Sequence, residues 1–105
     1  DRCMKNVIVV ELRAKEGKQE EVASLFREAL GDTRAYEGCI SVDVYFEPKT
    51  NTYTLIEDWE SLEHYDAYLQ WRMDSGIQEV VEPLLDGGMD GFLKSIKRLG
   101  PVTEL

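Results

Sequence analysis

The sequence has little of what metal binding, disulfide formation and nucleotide binding require. It contains two cysteines and one histidine in 105 residues. Cys3 and Cys39 lack the C-x-x-C spacing of zinc and redox sites, and His64 cannot complete a zinc-binding set with them. The sequence has neither a glycine-rich phosphate loop nor a G-x-S-x-G turn. We therefore expect no metal, no cofactor and reduced thiols, as in the cytoplasm.

Basic residues are also few, and long apolar runs are missing. The 21 Asp and Glu residues outnumber the 12 Lys and Arg residues, so the net charge is −9, and Arg72 is the only cation between residues 57 and 90. Such a charge balance disfavours nucleic acid, which needs clustered basic residues. No stretch approaches the roughly 20 apolar residues of a membrane span, and the N-terminus lacks a signal-peptide core. We expect a cytoplasmic protein without nucleic-acid or membrane partners.

The length predicts a single domain over residues 1–105. Residues 1–3 precede Met4, which could be the natural start, so they are given no functional weight. With 43% hydrophobic residues the chain can build one core. A domain of this size buries only about 60 to 70% of its unfolded surface, so an uncovered apolar face would favour an oligomer.

Hydrophobic periodicity predicts most of the secondary structure. A helix with one apolar face precedes Gly38, which suits a left-handed C-terminal cap, and Ser61 suits the N-cap of a second helix. Pro83 should kink or end a third helical piece, and residues 92–99 fit either a helix or a last strand. The predicted elements are a strand over residues 6–14, a helix over 18–36, strands over 39–47 and 53–59, helices over 62–73 and 77–85, and a strand near 95–99.

This order predicts an α+β fold of the ferredoxin-like, split βαβ type, with an antiparallel sheet and both main helices on one of its faces. The other face of the sheet is then bare. If it is apolar, two copies should pack sheet against sheet as a homodimer. The apolar set left uncovered would be Ile40, Val42, Val44 and Phe46, or the opposite register of the same strands.

Four segments carry a family resemblance: residues 9–22 (VVELRAKEGKQEEV), 33–45 (TRAYEGCISVDVY), 47–59 (EPKTNTYTLIEDW) and 64–76 (HYDAYLQWRMDSG). In order and spacing they resemble the antibiotic biosynthesis monooxygenase (ABM) domain family. The resemblance implies a dimeric α+β barrel. It also implies a range of activities: cofactor-free oxygenation of anthrones and quinols, haem degradation, and isomerisation of small carbonyl compounds. A fold does not decide among them.

One position departs from the family pattern. Many members have a histidine nine residues after the tryptophan that ends the third strand, whereas Tyr68 occupies that position here. His64 lies four residues earlier. Because residues four apart are neighbours on a helix, His64, Tyr68 and Trp71 share one stripe. We expect this stripe to face a cavity between the second helix and the sheet, with Tyr45 or Asp43 approaching from the strands.

The candidate site follows from the chemistry that the resemblance implies, which needs a base, an oxyanion donor and aromatic walls. His64 is the first candidate base because its ordinary pKa is near neutral. Each candidate also has a structural alternative: an exposed histidine, packed aromatics, or an Arg72 ion pair with Glu79, Asp66 or a neighbouring chain. The predicted catalytic residues are His64, Tyr68 and Asp43, and the predicted substrate-binding residues are Trp59, Trp71, Tyr45 and Arg72.

Glu57 and Cys39 are given structural roles, a strand-end hydrogen-bond acceptor and a small buried side chain. Three hypotheses for function remain open. In the first, the chain is a cofactor-independent monooxygenase that acts on a small aromatic, quinol or polyketide-like compound. In the second, it is a non-catalytic dimer that binds a small molecule. In the third, it is a haem-binding or haem-degrading relative. The haem hypothesis needs an axial histidine, and His64 is the only candidate.

Overall fold

The computed structural model describes residues 5–105, so the expectation about residues 1–3, Cys3 among them, lies outside the described residues. Most of the described chain is helix or strand. In chain order the elements are β1 (Asn6–Arg13), α1 (Gln19–Ala35), β2 (Cys39–Glu47), β3 (Thr52–Trp59), α2 (Leu62–Asp74), α3 (Ile77–Val81), α4 (Gly88–Ser95) and β4 (Lys97–Gly100).

The four strands form one antiparallel sheet in the order β2, β3, β1, β4. The chain passes from β1 through α1 to the edge strand β2, returns by a tight hairpin to β3, and reaches the opposite edge after the remaining helices. This is the predicted α+β, ferredoxin-like fold.

The core lies between the sheet and the helices. In β1 the alternate residues Ile8, Val10 and Leu12 are buried, while their neighbours Glu11 and Arg13 are exposed. Alternation of this kind places one apolar face of a strand against the helices. The helices contribute Val22, Leu30, Tyr65 and Leu69 to the same cluster.

The sheet register decides which residues the helices cover. Val42 and Val44 pair with Glu57 and Leu55, and these lie opposite residues of β1 that face the core. Directly paired residues lie on the same face of a sheet, so the helices cover Val42 and Val44.

The opposite register therefore forms the bare face. Its apolar part consists of Val7, Val9 and Ile56, which are half-buried or exposed and lie together because Val9 pairs with Ile56. Asp43 and Tyr45 share this face, since they pair with Ile56 and Thr54.

The region after α2 differs from the expected single helical piece over residues 77–85. α3 already ends at Val81, just before Pro83, because proline cannot continue the backbone hydrogen-bond ladder. A separate helix, α4, then begins at Gly88 with Gly87 as its N-cap, and the φ values of these two residues, 59° and 86°, suit glycine. β4 consequently starts two residues later than expected. None of the helices in residues 5–105 combines the length and the apolarity that a bilayer crossing needs.

We predict that Trp59 anchors the core at the end of β3. It is fully buried, and its ring packs edge-to-face on Tyr65 at 5.5 Å. Trp59→Ala should lower the free energy of unfolding by about 3 to 5 kcal/mol because it leaves a large cavity. Urea denaturation measures the loss, and Trp71→Ala, at a half-buried position, is the control that should lose less. An unchanged midpoint for Trp59→Ala would contradict this assignment.

Candidate functional site

A cavity of about 70 Å³ lies between α1, α2 and the sheet, and it is partly open to solvent. Its walls are mostly apolar because they are the inner faces of amphipathic elements. Leu25, Phe26 and Leu30 come from α1, and Val10 and Leu55 come from the sheet. Five polar side chains also line it, those of Thr33, Glu57, Tyr65, Tyr68 and Arg72.

Glu57 is a carboxyl group in the core. It lies between Leu55 and Trp59 on the covered side of β3 and retains only 3% of its surface exposure. Its Oε1 accepts a hydrogen bond of 2.9 Å from Nε1 of Trp59. Burial in this apolar setting raises the pKa of Glu57 to about 7, and the Trp59 hydrogen bond opposes only part of that rise.

The second oxygen of Glu57 has no hydrogen-bond donor among residues 5–105. This oxygen is not fully enclosed, since every fully buried side-chain oxygen or nitrogen of the described residues has a hydrogen-bond partner. Because Glu57 lines the cavity, a bound molecule could supply the missing donor. A carboxyl with a pKa near neutral can also exchange a proton with that molecule at ordinary pH.

Tyr68 and Arg72 form a hydrogen-bonded unit on α2, where their four-residue spacing places them side by side. Arg72 Nε donates to the Tyr68 hydroxyl at 2.9 Å, and Nη2 donates to Thr33 Oγ1 at 3.0 Å and to the Ala29 carbonyl at 2.8 Å. The Tyr68 and Thr33 hydroxyl oxygens are 2.7 Å apart. This polar unit joins α2 to α1 at the cavity wall.

The electrostatics of this unit favour an anionic oxygen in the cavity. The Arg72 guanidinium stacks over the Trp71 ring at 4.6 Å, and no carboxylate in residues 5–105 forms an ion pair with it. The expected Arg72 ion pair with Glu79 or Asp66 is therefore wrong, since Asp66 pairs with Arg98 instead. Burial raises the pKa of Tyr68, although Arg72 and Thr33 partly oppose the rise, so its hydroxyl stays protonated.

His64 does not line the cavity. It lies in the first turn of α2, where Nδ1 is 2.7 Å from Ser61 Oγ and Nε2 is 3.7 Å from a Glu37 carboxylate oxygen. Ser61 is the expected N-cap and accepts a hydrogen bond from the His64 backbone N–H. The ring packs closely over Gly38, where any side chain would collide with it. The expectation that His64 faces the cavity is therefore wrong, because it lies one helical turn too early.

Asp43 and Tyr45 are on the bare face of the sheet, away from the cavity. The expectation that they approach the cavity is also wrong, because β2 pairs with β3 in the register that turns Val42 and Val44 inward. Trp59 is too deeply buried to touch a ligand, and Trp71 packs outside the cavity on Tyr36 at 5.5 Å. Of the predicted site residues, the structure brings only Tyr68 and Arg72 together in the cavity.

Sequence reasoning missed two members of the site, Glu57 and Thr33. A signal for Glu57 was present, since a carboxyl alternates there with Leu55 and Trp59 on a strand whose inner face is otherwise apolar. Thr33 ends the apolar stripe of α1 and carried no such signal. Cys39 offers no chemistry to the site, because burial raises the pKa of its thiol to about 11. Among residues 5–105, no group of three His, Cys, Asp or Glu side chains is close enough together to hold a metal ion.

Comparison with known proteins places the chain in a family. The model of the antibiotic biosynthesis monooxygenase family matches residues 6–72, which span β1 through most of α2 and contain Glu57, Tyr68 and Arg72. The chain belongs to this family. No curated protein sequence matches this chain as a relative.

Several solved structures share this fold. The NE2512 protein of unknown function from Nitrosomonas europaea is similar with a TM-score of 0.74 at 16% identity, covering 100% of this chain and 96% of its own. A conserved protein from Methanosarcina mazei Go1 is similar with a TM-score of 0.70 at 23% identity, covering 81% of this chain and 85% of its own. A Chloroflexus aurantiacus protein, assigned provisionally to the antibiotic biosynthesis monooxygenases, is similar with a TM-score of 0.65 at 21% identity, covering 96% of each chain.

We predict that Glu57 makes the stability of this ABM domain depend on pH. Its pKa is about 7 in the folded state, against 4.5 for an ordinary glutamate side chain. Between these values the folded state holds a proton that the unfolded state releases, so stability falls as pH rises through the window, by roughly 3 kcal/mol in total.

The test compares urea unfolding at pH 5 and pH 8. Glu57→Gln, which cannot ionise, should lose much of this fall, whereas Asp43→Asn, at an exposed carboxylate on the other sheet face, should keep it. The same pH dependence in Glu57→Gln and wild type would show that Glu57 does not titrate in this range.

Proposed function

We propose that this ABM protein is a cofactor-independent monooxygenase that oxidises a small phenol or quinol with dioxygen. The observation that carries the proposal is a buried carboxyl of near-neutral pKa in the same apolar cavity as an arginine. Within residues 5–105, one oxygen of this carboxyl receives no hydrogen bond, and no carboxylate forms an ion pair with the arginine. Family membership supports monooxygenase chemistry but does not identify a substrate.

In the proposed mechanism Glu57 removes a proton from the substrate, and Tyr68 and Arg72 donate hydrogen bonds to the developing oxyanion. An electron-rich quinol anion can react directly with dioxygen. For hydroquinone, one oxygen atom enters the ring and the other leaves in water, so hydroquinone and dioxygen give hydroxybenzoquinone and water. The apolar walls strengthen these interactions because they exclude water.

The size of the cavity favours a single aromatic ring. Its volume of about 70 Å³ is less than half of the roughly 150 Å³ of an engineered apolar cavity that binds benzene. Even one ring must therefore displace a side chain of the wall, and a three-ring anthrone would need a much larger change. Within the range expected from the sequence, we favour a small quinol over a polyketide.

A non-catalytic binding protein is the second candidate. One observation favours it: each hydrogen bond that Arg72 makes is to the protein itself, which is sufficient to explain its position as structural. The haem hypothesis gains no such support, since the cavity is too small for a porphyrin and His64 lies outside it.

We predict that purified protein consumes oxygen with hydroquinone in the presence of EDTA and without added flavin. Glu57→Gln should lower kcat/KM by about 100-fold or more because it removes the general base. Tyr68→Phe should have a smaller effect, equivalent to one lost hydrogen bond. His64→Ala is the matched control, and its rate should be nearly unchanged. Full activity in Glu57→Gln, or its loss in His64→Ala, would contradict the assignment of the base.

We also propose that the protein is cytoplasmic, because the thiol of Cys39 is free. We further propose that two copies associate through the bare sheet face. Val7, Val9 and Ile56 form the apolar part of that face. Two helices on one side of a sheet leave such residues without a cover, and antiparallel sheets bury an apolar face against a partner layer.

We predict a homodimer by light scattering at micromolar concentration. Ile56→Glu should shift the protein to a monomer, because it places a carboxylate in the centre of the proposed contact. Asp43→Asn, which removes a charge from the same face without adding one, should remain a dimer. A wild-type monomer would contradict the proposal.

A further inference from the structure

A groove lies beside the inner cavity, on the same side of the sheet. It has a volume of about 390 Å³ and follows the seam between α1 and α3. Consecutive residues of these helices line the two spaces: Ala29 and Val81 line the cavity, whereas Glu28 and Val80 line the groove. Leu25 lines both. The seam between α1 and α3 therefore separates the cavity from the groove.

The groove is acidic along α1. Three carboxylates line it, and no lysine or arginine of the described residues does. Lys18 pairs with Glu21 at 3.2 Å, whereas Glu20 and Glu28 form no ion pair within residues 5–105. The rest of the lining is mostly apolar. Such a surface attracts a cation that also carries an apolar part.

The far end of the cavity has the opposite electrostatic character. There Arg72 and Tyr68 contact Thr33 of α1 through hydrogen bonds and favour an anionic oxygen. Thr33 follows Leu25 by eight residues, so the two ends are about 12 Å apart along α1. One aromatic ring with a short chain spans such a distance. A ligand that suits both ends carries an acidic oxygen on the ring and a cation on the chain.

α3 is the part of the cavity wall that can move to admit a ring. It has only five residues and follows Gly76, whose φ is 92°. Its contribution to the cavity is apolar, from Ile77 and Val81. The other walls are fixed by polar contacts, since the strands share a hydrogen-bond ladder and Arg72 joins α2 to α1. A shift of α3 away from α1 would enlarge the cavity and open it to the groove.

The groove stays accessible in the proposed homodimer. The inner side chains of α1 and α3 pack in the same core cluster as Leu55, on the covered side of the sheet. The dimer contact uses Val7, Val9 and Ile56 on the other side. A second copy on the bare face would therefore leave the seam between α1 and α3 uncovered.

We propose that the cavity and the groove bind one substrate, a phenol or quinol whose ring bears a short chain ending in an ammonium group. The phenolic oxygen lies at Tyr68 and Arg72, and the ring fills the cavity. The chain passes Leu25, so that the ammonium group lies beside Glu20 and Glu28. This inference rests on the proposed function for the inner cavity, and it adds the class of substituent and the residues that recognise it.

Calorimetric titration with three phenols tests the substituent. Tyramine carries an ammonium group on a two-carbon chain, tyrosol carries a hydroxyl group on the same chain, and 4-hydroxyphenylacetate carries an anion. At low salt tyramine should bind about fivefold more tightly than tyrosol, the size of a favourable exposed ion pair, and high salt should reduce the difference. The anion should bind more weakly than tyrosol. Equal affinities for tyramine and tyrosol, or no binding of tyramine, would overturn the proposal.

Charge variants test the groove, read as the ratio of tyramine to tyrosol affinity. The double variant Glu20→Gln, Glu28→Gln should bring the ratio close to one. The double variant Glu60→Gln, Glu104→Gln is the matched control, because it removes the same charge outside both spaces, and its ratio should not change. An equal loss in both double variants would indicate general attraction to an acidic protein and would overturn the proposal. A ratio lost only in Glu57→Gln would do the same, because it would place the ammonium group inside the cavity.

Variants at Leu25 test the route of the chain. Leu25→Ala should strengthen the binding of tyramine and tyrosol relative to unsubstituted phenol because the passage widens, and Leu25→Phe should weaken it. Phe26→Ala is the control, since Phe26 lines the cavity but not the groove, and it should change the three affinities alike. Leu25→Val replaces the alanine variant if that one does not fold. Relative affinities unaffected by every Leu25 variant would contradict the route.

Oxygen consumption with hydroquinone is measured in parallel, so that the two proposals can fail separately. If tyramine binds in the expected pattern and hydroquinone is not oxidised, the proposed function fails and the site for an ammonium-bearing phenol stands. If hydroquinone is oxidised and tyramine has no advantage over tyrosol, the proposed function stands and this inference fails.

Discussion

The hydrogen bond between Trp59 and Glu57 is the interaction on which the site depends. Both side chains project from β3 toward the helices, two residues apart, so the strand geometry brings them together. Without the indole N–H, the Glu57 carboxyl would be buried with neither oxygen paired, and that state is too costly for a small domain. The tryptophan that anchors the core thus also makes a core carboxyl tolerable.

The hydrogen bond from Trp59 offsets only part of the cost of burying the Glu57 carboxylate, and this sets the pKa of Glu57. One donor stabilises the carboxylate, yet desolvation remains the larger effect, so the pKa of Glu57 settles near 7 rather than in the usual acidic range. An ion pair with Arg72 would have lowered that pKa and kept the carboxyl ionised near neutral pH. Arg72 instead donates its hydrogen bonds to the Tyr68 and Thr33 hydroxyl groups and to the Ala29 carbonyl. The Glu57 carboxyl and the Arg72 guanidinium therefore share one cavity without neutralising each other.

The sequence was sufficient to predict the fold, because the order of elements and the alternation in β1, β2 and β3 are strong local signals. It also predicted the Ser61 cap and the burial of Trp59. The sequence did not predict which side chains line the cavity, because that depends on the register between strands. Whether Val42 or Asp43 faces the helices depends on how β2 pairs with β3, and a shift of one residue reverses every side chain. Likewise, His64 and Tyr68 share a helical stripe, but only the later turn of α2 lies over the cavity.

The polar unit on α2 also explains why a cavity exists between the helices. Arg72 donates to the Ala29 carbonyl and to the Thr33 hydroxyl, so its planar guanidinium bridges α1 and α2 where shorter apolar side chains would allow closer packing. Stacking of that guanidinium on Trp71 holds it in place. Protein interiors are otherwise densely packed, and a void at the edge of a polar bridge costs dispersion energy. The same contacts that join the helices therefore maintain the space in which a ligand could bind.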